Sequence, residues 1–196
     1  MPNLPGRFSS IAVIACLLTA CQPPAPVPTP VPTYRCTPEV GGAEFECSQK
    51  RYDDMVAKDK LYAEAEAVYR KFLAEDIRIM RAGGVSSPTP MLLETTFGAF
   101  LQDAMAEYSD MRDLGLRAEG QDPVLVNMAR QPGLSKGGSV AVLDSCIDST
   151  ATAFVGNGKT QKHGPIARDV VYFGTANGSN LKIIGADGKE VSTCAS

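Results

Sequence analysis

Residues 49–82 read QKRYDDMVAKDKLYAEAEAVYRKFLAEDIRIMRA, and this stretch decides the fold. Tyr52, Met55, Tyr62, Ala65, Tyr69, Phe72, Leu73, Ile77 and Met80 recur at steps of mostly three and four, which places them along one side of an α-helix. Lys58, Lys60, Glu64, Arg70, Lys71 and Glu75 occupy the other side. No Gly or Pro interrupts the run until Gly83-Gly84, which stops it. Such a helix spans about 50 Å at ~1.5 Å per residue, and its single apolar stripe must lie across another layer.

Downstream, Thr89-Pro90 supplies a capping side chain and a first-turn proline for a second helical region. Its apolar stripe is Leu93, Phe97, Phe100, Leu101, Ala104, Met105, Tyr108 and Met111, with Gly98 as a point of division and Gly115 as the end. The period then changes. Segments 124–129, 139–148, 151–155, 166–173 and 180–184 are strand-like, separated by Gly156-Asn157-Gly158-Lys159, Ala176-Asn177-Gly178-Ser179 and Ala186-Asp187-Gly188-Lys189. Helices first and a meander afterwards predict an α+β domain, a long N-terminal helix plus a helical pair packed on a curved antiparallel sheet, cone-like or cystatin-like in outline.

That order of elements resembles the ketosteroid-isomerase-like or SnoaL-like cone, the nuclear transport factor two fold. Tyr52-Asp53-Asp54-Met55, the segment from Glu64 to Arg70, Gly115-Leu116-Arg117-Ala118-Glu119-Gly120 and the segment from Gly138 to Asp148 are similar to those of secreted actinobacterial-type lipoproteins. The resemblance covers about residues 48–190. It implies a fold and a location, and brings no catalytic signature with it.

Working back toward the N-terminus, residues 34–48 carry Cys36 and Cys47 around a Gly41-Gly42 turn. Residues 22–33, Gln-Pro-Pro-Ala-Pro-Val-Pro-Thr-Pro-Val-Pro-Thr, favour extended polyproline II at about 3.1 Å per residue, suited to a spacer. Before the spacer, Arg7 precedes an apolar run from Ile11 to Leu18, too short to cross a bilayer. The run ends in Leu18-Thr19-Ala20-Cys21, which resembles the lipobox of bacterial lipoproteins. The resemblance implies cleavage before Cys21, a diacylglyceryl group on its sulfur, and stable anchoring once two acyl chains are in place. The expected organisation is a lipoprotein signal peptide at 1–20, the lipidated Cys21 and Pro-rich tether at 21–33, and a single α+β domain at 34–196. The expected location is the extracytoplasmic face of the cell membrane, with Gln22 matching the outer-membrane routing pattern should the host have two membranes.

Of the six cysteines, Cys16 leaves with the signal and Cys21 is acylated, so Cys36, Cys47, Cys146 and Cys194 remain, an even number for an oxidising compartment. They allow three pairings. Cys36–Cys47 closes a short loop ahead of the long helix, and Cys146 and Cys194 both fall in segments read as late strands, which favours Cys36–Cys47 with Cys146–Cys194. A metal site is the rival reading; no Cys-x-x-Cys occurs and the single His is remote in sequence.

Composition narrows function further. Nineteen basic and 22 acidic residues, net charge −3, with no basic run, argue against nucleic acid as a partner. No Ser sits in a nucleophile elbow, and neither Gly83-Gly84 nor Gly137-Gly138 precedes a Gly-Lys-Ser/Thr that would cradle phosphate. Alternation puts Val140, Val142, Asp144, Cys146 and Asp148 on one strand face, making Asp144 and Asp148 candidate bases should that face point inward, with Tyr108 or Tyr172 as donors. The plainer expectation is an outward face with Asp148 solvated. His163 falls in a polar connection and reads as a solvated loop residue. The Tyr and Met residues of the long helix read chiefly as core.

The expected function is that of a non-catalytic binding or assembly module at the cell envelope, held by acyl chains on Cys21 and meeting an envelope protein, with no cofactor and no metal. The alternative is a carrier of a small apolar ligand or lipid in the cone, and after it an isomerase- or dehydratase-type enzyme.

Overall fold

The computed structural model describes residues 32–39, 41–175, 178 and 180–195; the expected signal peptide, Cys21 and the expected tether through residue 31 lie outside the described residues. Strands β1 (Tyr34–Cys36) and β2 (Phe45–Cys47) pair antiparallel and are joined by the Cys36–Cys47 disulfide. Helix α1 (Gln49–Ala82) follows directly, capped by Ser48, whose hydroxyl accepts from Arg51 N at 3.3 Å. At its far end Gly83 and Gly84 take φ of 83° and 86°, and their N–H groups meet the carbonyls of Met80 and Ile79. Gly84 is obligatory here, since a Cβ would lie 2.0 Å from the Tyr108 carbonyl oxygen.

Helices α2 (Pro90–Thr95) and α3 (Gly98–Asp113) are divided where Gly98 predicts it. Thr96 and Phe97 are extended at the break, and Phe97 N donates to the Ile183 carbonyl at 2.9 Å, stitching the helices to the sheet.

The remaining chain is an antiparallel meander: β3 (Leu116–Gly120), β4 (Val124–Arg130), β5 (Ala141–Asp148), β6 (Thr152–Gly156), β7 (Lys159–His163), β8 (Ile166–Thr175) and β9 (Leu181–Val191). One ladder runs β4-β5-β8-β9 and the other β3-β6-β7. These are two arms of one bent ribbon, because β3 and β4, β5 and β6, and β7 and β8 are each consecutive in the chain. Each passes from one arm to the other at 121–123, 149–151 and 164–165. Pro123 and Pro165 lack a ladder N–H at that line. Gly164 lets the crossing strands touch, as a Cβ there would stand 2.5 Å from the Ser149 Cβ. Thr152 Oγ1 donates to the Gln121 carbonyl at 2.7 Å, tying the bend from strand to strand.

The buried side of α1 is Tyr62, Ala65, Tyr69, Phe72 and Ile79, packed with Leu92, Tyr108, Leu143, Val171, Phe173, Leu181 and Ile183. Each large apolar side chain buried this way contributes about 1.5–3 kcal/mol. The α+β architecture with a long helix on a curved antiparallel sheet is therefore the observed one.

Several boundaries differ from expectation. Segment 115–120 contains a strand, β3, since pairing with β6 supplies order that its weak alternation does not. His163 ends a strand and not a loop: β7 is exposed along its whole length and is held by its ladder to β6 through the Asn157-Gly158 turn, at φ 54° and 72°. Ala186-Asp187-Gly188-Lys189 is no hairpin turn, because β9 continues through it to Val191 opposite β8, with a register shift near Tyr172/Phe173. Cys194 lies beyond the last strand and still reaches Cys146. Among the described residues no helix is long and apolar enough to cross a membrane.

Candidate functional site

The inside of the bend is roofed by the C-terminal half of α1, leaving a cleft of about 530 Å3. Leu73, Ile77 and Met80 form its roof, Leu125, Ile147 and Ala167 the floor, and Phe154 on the second arm a side wall. Pro123, Ser149, Thr152 and Pro165 of the bend close its back. The size falls within the roughly 300–1,000 Å3 of small-molecule sites, as does a mainly apolar lining with few polar groups.

Asp76, Asp169, Glu107 and Arg70 are the charged groups on this lining. Asp76 is half-buried and accepts the Tyr108 hydroxyl at 2.7 Å. Burial pushes its carboxyl up to about 6, the Tyr108 hydrogen bond opposing and the nearby Glu107 adding to the rise. Asp169 points from β8 to the same cleft and packs over the backbone of Gly188, where a Cβ would stand 2.6 Å from its Oδ1. Burial raises it too, with a smaller contribution from Asp144. Tyr108 and Tyr69 are held neutral by burial; the Tyr69 hydroxyl lies 2.8 Å from Ser145 Oγ.

The sequence-derived candidates lie elsewhere. Ala141, Leu143, Ser145 and Ile147 of β5 face α1, so Val142, Asp144, Cys146 and Asp148 face away from it. Asp144 is salt-bridged to Arg168 at 2.9 Å on that outer face. Asp148 accepts from Thr150 Oγ1 at 2.6 Å and Thr150 N at 2.9 Å, bonds that hold its carboxyl low and brace the bend. Tyr172 donates to Asp187, itself paired with Lys136. Neither Asp144 nor Asp148 reaches the cleft: alternation groups them on one face, and that face is the outward one, as the plainer expectation had it. Of the proposed donors only Tyr108 borders the site, through Asp76. His163 is exposed on the outermost strand.

Asp76 and Asp169 escaped sequence reasoning. The available signal was an acid inside an apolar stripe: Asp76 is flanked by Leu73 and Met80 at helical spacing, and Asp169 by Ala167 and Val171 at strand spacing. Glu75, beside Asp76, has a structural task. It is buried, accepts two bonds from Arg78 that hold it low, and takes the Thr89 hydroxyl at 2.6 Å, fixing α2 to α1.

Cys36, Cys47, Cys146 and Cys194 are all consumed in the Cys36–Cys47 and Cys146–Cys194 bridges. No group of metal-ligating side chains occurs among the described residues. A second hollow, about 700 Å3, lies between the β1–β2 hairpin and α1. Its charges are largely engaged: Lys58 with Glu39, Arg130 with Asp59, Asp54 with Lys50, and Arg51 over the Phe45 ring.

No family model and no curated protein matches the chain. Among solved structures, the crystal structure of the intermembrane space region of the chloroplast protein ARC6 is similar at 18% identity and a TM-score of 0.43, over 65% of this chain and 95% of that one. A likeness of that size bears on neither the fold nor the activity of this chain.

Proposed function

We propose that the protein is a lipid-anchored, extracytoplasmic, non-catalytic binding module, tethered through acyl chains on Cys21, whose cleft under α1 takes a small, mostly apolar molecule. The observation that carries the reading is the open cleft of about 530 Å3 in the concavity of the sheet, walled by Leu73, Met80, Ile147 and Phe154. A core filled by its own side chains would leave no such space. The carboxylates first considered as bases, Asp144 and Asp148, are engaged in a salt bridge and a turn, which favours binding over catalysis. The lipobox-like Leu18-Thr19-Ala20-Cys21 and the proline spacer support the anchoring.

An envelope protein as partner is a second reading, favoured by the exposed Val124, Val126, Leu134 and Val140 along β4 and the β4–β5 connection. Native mass spectrometry of the full chain extracted from its host separates the two. A small-molecule adduct that is lost on Ile147→Trp, which fills the cleft, supports the first. A bare protein that instead retains a protein partner supports the second and overturns the first. The same spectra test the anchor, because diacylglyceryl on Cys21 adds its mass and an unmodified Cys21 rules it out.

A further inference from the structure

We propose that the cleft selects, among small apolar molecules, those carrying a basic amine; this rests on the cleft being the binding site. Outside the cleft, three acids held within the folded domain meet cations: Glu75 meets Arg78, Asp144 meets Arg168, and Asp187 meets Lys136. Inside it the pattern is broken. Asp76 has only the neutral Tyr108 hydroxyl, and Asp169 accepts no hydrogen bond among the described residues. Glu107 adds a third carboxylate to the lining, and Arg70, an exposed side chain of α1, is the cation among the described lining residues.

A carboxylate facing an apolar space without a counter-ion is short of solvation, and burial has moved both Asp76 and Asp169 in the direction that reports this shortage. An ammonium carried in by a ligand supplies the missing charge and up to three donors, while the ligand's hydrocarbon covers Leu73, Met80, Ile147 and Phe154. A ligand carboxylate placed there would face acids on α1, α3 and β8 together. An alcohol of the same shape would gain the apolar contact and little more. The arrangement therefore ranks amine above alcohol above carboxylate.

Isothermal titration calorimetry of the full chain at pH 7.5, using adamantylamine, adamantanol and adamantane carboxylate as probes of one shape, tests this ranking. The amine should bind at least about tenfold more tightly than the alcohol, a difference of ~1.4 kcal/mol, and the carboxylate most weakly. In the double variant Asp76→Asn with Asp169→Asn, amine affinity should fall to that of the alcohol while alcohol affinity holds, showing that the cleft is intact. An alcohol that binds as well as the amine, or an amine preference that survives the double variant, overturns the amine selectivity and leaves the apolar cleft standing. Failure of all three probes to bind overturns both the selectivity and the cleft as a binding site.

Discussion

The two faces of β5 place the same residue type in opposite circumstances. On the face toward α1, Leu143 and Ser145 are fully buried, and the acids that share this space, Asp76 and Asp169, have no counter-ion among the described residues and are raised by burial. On the other face, Asp144 meets Arg168, and Asp187 across the sheet is held low, chiefly by its hydrogen bond from Lys136. Cys146 anchors the segment beyond β9 on this second face. One side is closed by apolar burial and left electrostatically unfinished; the other is closed by ion pairs and a covalent link. The unfinished side is where a ligand has something to contribute.

Four variants break or sharpen this contrast. The largest effect is expected on the inner face, where Leu143→Ala should cost about 2–5 kcal/mol in urea denaturation, because its site is enclosed by α1 and β8. Cys146→Ser with Cys194→Ser should cost about 2–4 kcal/mol by the same measurement, for a bridge spanning 48 residues. A double variant as stable as the wild type would show that the outer face needs no staple.

Asp76→Asn should act in the opposite sense. It keeps an acceptor for Tyr108 and removes the penalty on the ionised acid, so thermal unfolding at pH 7 should show about 1–2 kcal/mol of stabilisation, discounted from the full shift because the side chain is part-exposed. The folded value near 6 lies above the ordinary 3.8, so the native state holds its proton more tightly and loses relative stability as pH rises between the two. Below about pH 3 both states are protonated and the variant should match the wild type. Equal stability at pH 7 would mean that Asp76 is well solvated, and the contrast between the faces would fall. The smallest effect belongs to Asp187→Asn, a slight loss at pH 7. Because Asp187 is held low, its contribution is present above the ordinary carboxylate range and disappears on acidification, the mirror of Asp76.

The helices were legible because α1 repeats its apolar stripe over many turns and ends in two glycines whose positive φ has no easy substitute. The short-range signal failed where long-range pairing decides. Lys159-Thr160-Gln161-Lys162-His163 has no apolar alternation and becomes a strand only through β6. Ala186-Asp187-Gly188-Lys189 has turn composition, yet Gly188 sits opposite Asp169 in a continuous ladder. The disulfide pairing could be reasoned from position along the chain, although the strand placement of Cys194 could not. The cleft was the least legible feature. Its acids come from α1, α3 and β8, and its back from Pro123, Ser149, Thr152 and Pro165, residue types that pattern reading treats only as punctuation.

Tyr108 is pinned at both ends. Its carbonyl oxygen abuts Gly84 at the exit of α1, while its ring reaches back under the same helix to Asp76. The joint between α1 and α3 and the polar end of the cleft thus share one residue, the first through its backbone and the second through its hydroxyl. A shift of the long helix cannot be confined to the cleft, and an occupant that draws Asp76 away from Tyr108 also loosens the contact at the exit of α1.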